Sequence, residues 1–174
     1  MASLSPIERD RIARVEAFMR EEFGYISIQS TRPQTLAYGL VDSPVGQLAW
    51  IMDKFMAWTW PAETLPDAII GKDRLLTNVM IYWLTGSIGS SMQYYWAHRH
   101  APPVALRPER IEVPTGVALF PKEVTRPPRS AVERKYALTR WTEMPRGGHF
   151  PALEAPDDLA HELRAFFRPL RVAG

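Results

Sequence analysis

Ile12, Val15, Phe18 and Met19 recur at helical spacing behind Ser5-Pro6-Ile7-Glu8, a capping box with proline at the first helical position. The pattern predicts an amphipathic helix over residues 6–23, ended by Gly24. Tyr25 to Gln29 alternates apolar and polar residues too briefly to define a strand, and Thr31 to Leu40 reads as a short helix weakened near its end by Gly39. Asp42-Ser43-Pro44 opens another helix by the same cap logic, with Val45, Leu48, Ala49, Met52, Phe55 and Met56 on one face. Trp58, Trp60, Pro61 and Pro66 mark its end and a loop. Asp73 begins a third strong helix, striped by Leu75, Leu76, Val79, Met80 and Trp83. Gly86 and Gly89 separate it from a further helix over Ser90 to His98.

The character of the chain then changes. Prolines dominate Ala101 to Pro108, and Ile111 to Leu119 is a β-type run containing Pro114 and Gly116. Arg126-Pro-Pro-Arg129 is a turn, Ser130 to Lys135 a short helix, and Leu138 to Met144, within a strand-like run from Tyr136, a second strand. Pro156 to Phe167 forms a closing amphipathic helix, with Leu159, Leu163, Phe166 and Phe167 expected inward. Helices come first, therefore, and a β-α-β-α pattern comes after them. Two strands alone make a poor sheet with unpaired edges, a physical sign of missing neighbours.

With 174 residues and 46% apolar content, the chain can bury a core and is not disordered by composition. Net charge is +2, but 17 Arg and 4 Lys are scattered without a like-charge block, which excludes a nucleic-acid footprint. Cysteine is absent, so neither a disulfide framework nor thiolate chemistry is available. Met-Ala-Ser-Leu-Ser-Pro lacks the regions of a signal peptide. The most apolar window, Leu75 to Ile88, is broken by Thr77, Asn78 and Thr85 and falls short of the roughly 20 residues of a membrane span. A soluble, cytoplasmic chain is expected.

Chemistry concentrates in Met144-Pro145-Arg146-Gly147-Gly148-His149-Phe150. Two glycines allow a sharp turn and close approach of other chain, holding the His149 imidazole at a strand end. A histidine so mounted can serve as a general base, or it can be a turn residue with only local hydrogen bonds. Glu123, taken alone, reads as a solvated loop carboxylate, and a tyrosine in an apolar stretch, such as Tyr94, as core with a satisfied hydroxyl. Six tryptophans and seven methionines suit an apolar pocket or plain core. His98 and His100 would point apart on a helix, so a metal site is not expected, and His161 lies on the closing helix as a solvated residue. No nucleotide-binding glycine loop is present, and no cofactor is expected. Among the seven aspartates, Asp42 and Asp73 read as helix caps and Asp67 as a loop residue.

Arg146-Gly-Gly-His149-Phe followed by Glu154-Ala-Pro resembles the histidine segment that closes α/β-hydrolases, most closely the microsomal-type epoxide hydrolases, which include the juvenile-hormone epoxide hydrolases. The likeness runs in family order through Gly24-Tyr25-Ile26-Ser27-Ile28-Gln29, Asp42-Ser43-Pro44-Val45-Gly46, Leu76-Thr77-Asn78-Val79-Met80, Thr85-Gly86, Val113-Pro114-Thr115-Gly116 and Phe120-Pro121-Lys122-Glu123. It implies that residues 1–108 are lid helices and return helices, with 1–40 in the lid, and that 109–174 are the last two strands and helices of the parallel sheet. It further implies His149 as base, Glu123 as its orienting acid, and Tyr25 and Tyr95 as donors to the epoxide oxygen. A small apolar epoxide would be the substrate and detoxification the role. Neither the nucleophile elbow nor the oxyanion segment of such enzymes occurs in these residues, so the chain resembles a C-terminal half, expected to be inactive alone and to self-associate through open sheet edges. Half of a serine esterase, or a non-catalytic interaction module, are the other readings. The two tyrosines favour the epoxide.

Overall fold

The structure, a computed structural model, describes residues 5–101 and 110–171. The proline-rich stretch from Pro102 to Pro108, the expected boundary at residue 108, and the side chain of Glu8 in the capping box lie outside the described residues. The order of elements is α1 (Pro6–Glu21), α2 (Gly24–Thr31), α3 (Pro33–Asp42), α4 (Pro44–Trp58), α5 (Pro66–Ile70), α6 (Lys72–Thr85), α7 (Ile88–His100), β1 (Ile111–Leu119), α8 (Arg129–Lys135), β2 (Tyr136–Glu143), α9 (Pro151–Glu154) and α10 (Pro156–Phe167), with a 3-10 turn at Arg168–Leu170. They form two compact units, one of residues 1–15, 58–64 and 107–174, the other of 16–57 and 65–106. Among the described residues no helix is long and apolar enough to cross a membrane.

The second unit is helical. Ala37 and Leu40 of α3 and Ile88 and Met92 of α7 form its core, joined by Leu36, Trp50, Ile51 and Tyr82. Tyr25 to Gln29 lies in α2, a helix packed with α3 on α7, and not in an extended segment. A short alternating run carries too little periodicity to choose, and packing decides it. The expected apolar face of α4 is corrected as well. Val45 and Met56 are exposed, and the fully buried side chain is Gln47, whose amide donates to the Val79 carbonyl at 3.0 Å. That bond lets a polar side chain occupy a core position. On α6 only Leu75 and Val79 of the expected stripe are buried, while Leu76 and Met80 are exposed. Asp42 is the last residue of α3 and not a cap. Ser43 caps α4 instead, its Oγ accepting the Gly46 N–H at 3.0 Å. Asp73 sits inside the first turn of α6 behind Gly71, and Asp67 in the first turn of α5, where a carboxylate complements the helix dipole.

The first unit holds the sheet. β1 and β2 pair in parallel across α8, with the ladder running from Ile111↔Tyr136 to Leu119↔Glu143. The register slips between Ile111 and Pro114, where proline has no N–H to give the ladder. An isolated parallel bridge, Lys122↔Gly148, carries the alignment past the strand ends, so the loop after β1 lies beside the loop after β2. Helix α10 packs on β1 and reaches β2 by charge. Arg140 of β2 donates to the buried Glu162 at 2.7 Å from Nη2, Thr142 donates to it at 2.8 Å, and the guanidinium holds the Glu162 carboxyl below its ordinary range. The inward face expected for α10 is therefore narrower than its apolar stripe, because Leu163 and Phe167 are exposed and Glu162 is the buried residue.

Candidate functional site

His149 owes its position to backbone geometry. Gly147 has φ +102°, a left-handed conformation, and a side chain there would also meet the Phe120 ring at 2.9 Å. A side chain at Gly148 would run into the Trp58 carbonyl oxygen and the Glu154 carboxylate. The turn so made lets the His149 N–H donate to the Trp58 carbonyl at 3.1 Å. The imidazole stands between two aromatic rings that meet it edge-on, Trp58 at 5.0 Å and Phe150 at 5.2 Å. Its Nδ1 lies 2.7 Å from Glu123 Oε1. An ionised carboxylate only accepts, so Nδ1 carries the hydrogen and Nε2 keeps its lone pair. The Val124 N–H donates to the same Glu123 oxygen at 2.7 Å and fixes the carboxylate in turn. Glu123 is thus a partner of His149 and not a solvated loop carboxylate.

Glu154 is the residue that sequence reasoning left without a role. Its carboxylate accepts three backbone N–H groups at 2.8 Å each, from Trp60, Gly148 and Phe150. It thereby ties the histidine turn to the 58–60 segment. The available signal was an acidic residue in the first turn behind Pro151, a position from which a carboxylate reaches back to unpaired amides. Replacing Glu154 by Ala leaves three donors unmatched, and a loss of about 3 kcal/mol in unfolding free energy is expected. Chemical denaturation measures it, with Glu154→Gln intermediate. An unchanged midpoint for Glu154→Ala would show the clamp to be idle.

In the helical unit α2 and α7 bring Tyr25 and Tyr95 together, ring centroids 5.9 Å apart and nearly perpendicular. Burial, followed by the neighbouring Tyr95 and Glu22, pushes the Tyr25 hydroxyl up to about 12. Tyr25 is therefore a neutral phenol in ordinary buffer, able to donate a hydrogen bond. Lys54 Nζ lies 5.2 Å from the centre of the Tyr25 ring and is held by Glu22 at 2.9 Å and Asp53 at 2.8 Å. Burial pulls the Lys54 ammonium down, but those two partners outweigh it and leave it raised.

Tyr94 is not the core tyrosine expected from its surroundings in the chain. It is 72% exposed, its ring against Tyr95 on one side and stacked with His98 on the other. The helix turn that points Tyr95 inward necessarily points its neighbour elsewhere. His98 and His100 take separate partners, His100 stacking on Trp96, and His161 is exposed.

A β-α-β-α unit of parallel strands, with an acid after one strand paired to a histidine after the next, joined in one chain to a helical unit, has the plan of an α/β-hydrolase in part. The solved structures agree. The Aspergillus niger epoxide hydrolase matches 98% of this chain at TM-score 0.81 and 33% identity, the chain covering 42% of it. The juvenile hormone epoxide hydrolase of the silkworm Bombyx mori matches 97% at TM-score 0.81 and 31% identity, with 43% of it covered. Epoxide hydrolase 1 of Sus scrofa is 42% identical over 156 residues, which are 85% of this chain and 34% of that protein. No protein-family model matches. The chain is a C-terminal portion of the epoxide hydrolase family, with a partial α/β-hydrolase fold, and it spans only about a third of the length of its curated relatives.

Proposed function

We propose that this chain supplies the water-activating and oxygen-polarising groups of an epoxide hydrolase, and that it does not turn over epoxides without a segment carrying the nucleophile. The observation that carries the reading is the 2.7 Å contact between His149 and Glu123 at adjacent strand ends. In the reaction, an aspartate outside these residues attacks a ring carbon and the C–O bond breaks. Tyr25 and Tyr95 donate hydrogen bonds to the oxygen that becomes an alkoxide, which takes up a proton. His149 Nε2 then removes a proton from water, whose oxygen attacks the ester carbonyl. Glu123 stabilises the imidazolium while the tetrahedral intermediate expels the diol oxygen, which takes up a proton; the aspartate carboxylate is regenerated and the imidazolium returns its proton to solvent.

On this reading residues 1–108 act as lid and return helices and 109–174 as the end of the hydrolase core. A cytoplasmic, detoxifying role goes with it. The tyrosine pair favours an epoxide over an ester, because ester hydrolysis has no ring oxygen for two phenols to hold. The test is substitution in an enzyme completed by the N-terminal portion of a relative. Tyr25→Phe and Tyr95→Phe should each slow alkylation by on the order of 10²–10³, the double change more, and Tyr94→Phe little. Slowing by Tyr94→Phe with none by Tyr95→Phe would move the second donor one residue back.

A further inference from the structure

Three parts of the helical unit meet at the Tyr25 ring. Tyr95 of α7 packs nearly perpendicular to it, 5.9 Å between centroids. Glu22, in the turn that joins α1 to α2, precedes it by three residues. After burial and Tyr95, Glu22 is the remaining group that pushes the Tyr25 hydroxyl up. Lys54 of α4 reaches over the ring, its Nζ 5.2 Å from the centre. This is not a freely swinging surface lysine. Its side chain is 19% exposed, and Glu22 Oε2 at 2.9 Å and Asp53 Oδ2 at 2.8 Å hold the ammonium. An ammonium on a four-carbon stem gives up much rotamer freedom when fixed like this, and an ion pair near the surface offsets little of that loss.

We infer that Lys54 is a positioning residue that acts through Tyr25: its ammonium, pinned by Glu22 and Asp53, holds the ring in place and favours the charge that gathers on the phenol oxygen while it donates to the epoxide. The inference rests on the reading of Tyr25 as such a donor. A cation over an aromatic ring is attracted to its face, and a positive charge nearby favours negative charge on the ring oxygen. Glu22 left alone would oppose that charge. Lys54 therefore works twice, by neutralising Glu22 and by facing the ring itself. Its bond to Glu22 also ties α4 to the turn from which α2 starts, and so fixes where Tyr25 stands. Lys54 has no need to touch the substrate for either effect.

Two measurements separate this inference from the reading beneath it. The first uses the 174-residue chain with 3,5-difluorotyrosine in place of Tyr25, whose phenol titrates within the pH range of a folded protein and is followed by fluorine NMR. Lys54→Met keeps the length of the side chain and removes its charge, and it should raise the midpoint by about one unit. Lys54→Arg should leave the midpoint near its starting value, since a guanidinium also sits on aromatic faces. Glu22→Gln should shift it the opposite way, a reversal of sign that charge produces and loss of packing does not. Circular dichroism checks that each variant is folded. An unmoved midpoint for Lys54→Met overturns the inference even if Tyr25→Phe still slows alkylation. The second measurement is the alkylation rate of the enzyme completed by the N-terminal portion of a relative. Lys54→Met should slow it by about three- to tenfold. It should slow it no further in a Tyr25→Phe background, while the loss persists in a Tyr95→Phe background. A lysine with only a structural part would cost the same in every background, and that result overturns the inference. Should Tyr25→Phe itself leave alkylation unchanged, the donor reading falls and takes the inference with it, whatever the titration gives.

Discussion

In an enzyme completed by the N-terminal portion of a relative, His149→Gln is expected to form the covalent ester at a normal rate and then stop. A single burst of alkylated enzyme, close to one equivalent, should precede turnover slowed by on the order of 10²–10⁴, the range of general-base catalysis. The reason lies in the division of labour. Nε2 is the ring nitrogen left with a lone pair once Nδ1 donates to Glu123 at 2.7 Å, and glutamine has no comparable base to replace it. On the proposed mechanism the first step uses a carboxylate nucleophile and two phenols and does not call on the imidazole. Rapid-quench kinetics with trapped ester distinguishes the steps. Unaltered steady-state turnover would remove His149 from the mechanism. Glu123→Gln should act in the same direction with a smaller loss, since it weakens the orientation of the base without deleting it.

The 174-residue chain by itself is expected to give no diol from styrene oxide. Water activated at His149 has no ester to attack without a nucleophilic carboxylate at a strand-to-helix elbow. The seven aspartates all stand elsewhere. Asp10 and Asp53 lie within helices and pair with Arg14 and Lys54, and Asp42 ends α3. Asp67, Asp73, Asp157 and Asp158 occupy first turns of helices, none of which continues a strand directly through a glycine elbow. Size-exclusion chromatography should find the chain self-associated, because a two-stranded sheet offers open edges and α6 exposes Ile81 and Leu84. Diol formation abolished by one Asp→Asn change would reveal a nucleophile among these seven.

Much of this arrangement is legible in the order of residues alone. Ile111 to Leu119 and Pro156 to Phe167 fall where their patterns place them, since β-type residues between turn signals and a long amphipathic period are strong local information. The glycine pair likewise announces a turn that carries His149. The hidden part depends on contacts across long separations. The first-turn position of Glu154 hints at its local amides but not at Trp60, 94 residues away, and the burial of Gln47 depends on a carbonyl 32 residues away. Leu163 and Phe167 repeat at core spacing yet remain exposed, because the number of layers covering a helix is not written in the helix. The short helices α5 and α9 escaped because each begins at a proline in a stretch that reads as loop.

The Glu154 carboxylate bonds an amide 94 residues earlier in the chain. Closing a loop of that length costs on the order of 4 kcal/mol in chain entropy, so this contact forms only when other packing in the unit offsets that cost. The setting of the imidazole is consequently expected late in folding. The amide hydrogen of His149, bonded to the Trp58 carbonyl across a similar gap, should exchange with solvent only through opening of the whole unit and not by fraying of the turn. On the proposed mechanism, the imidazole is therefore not yet set beside Trp58 in a partly folded chain.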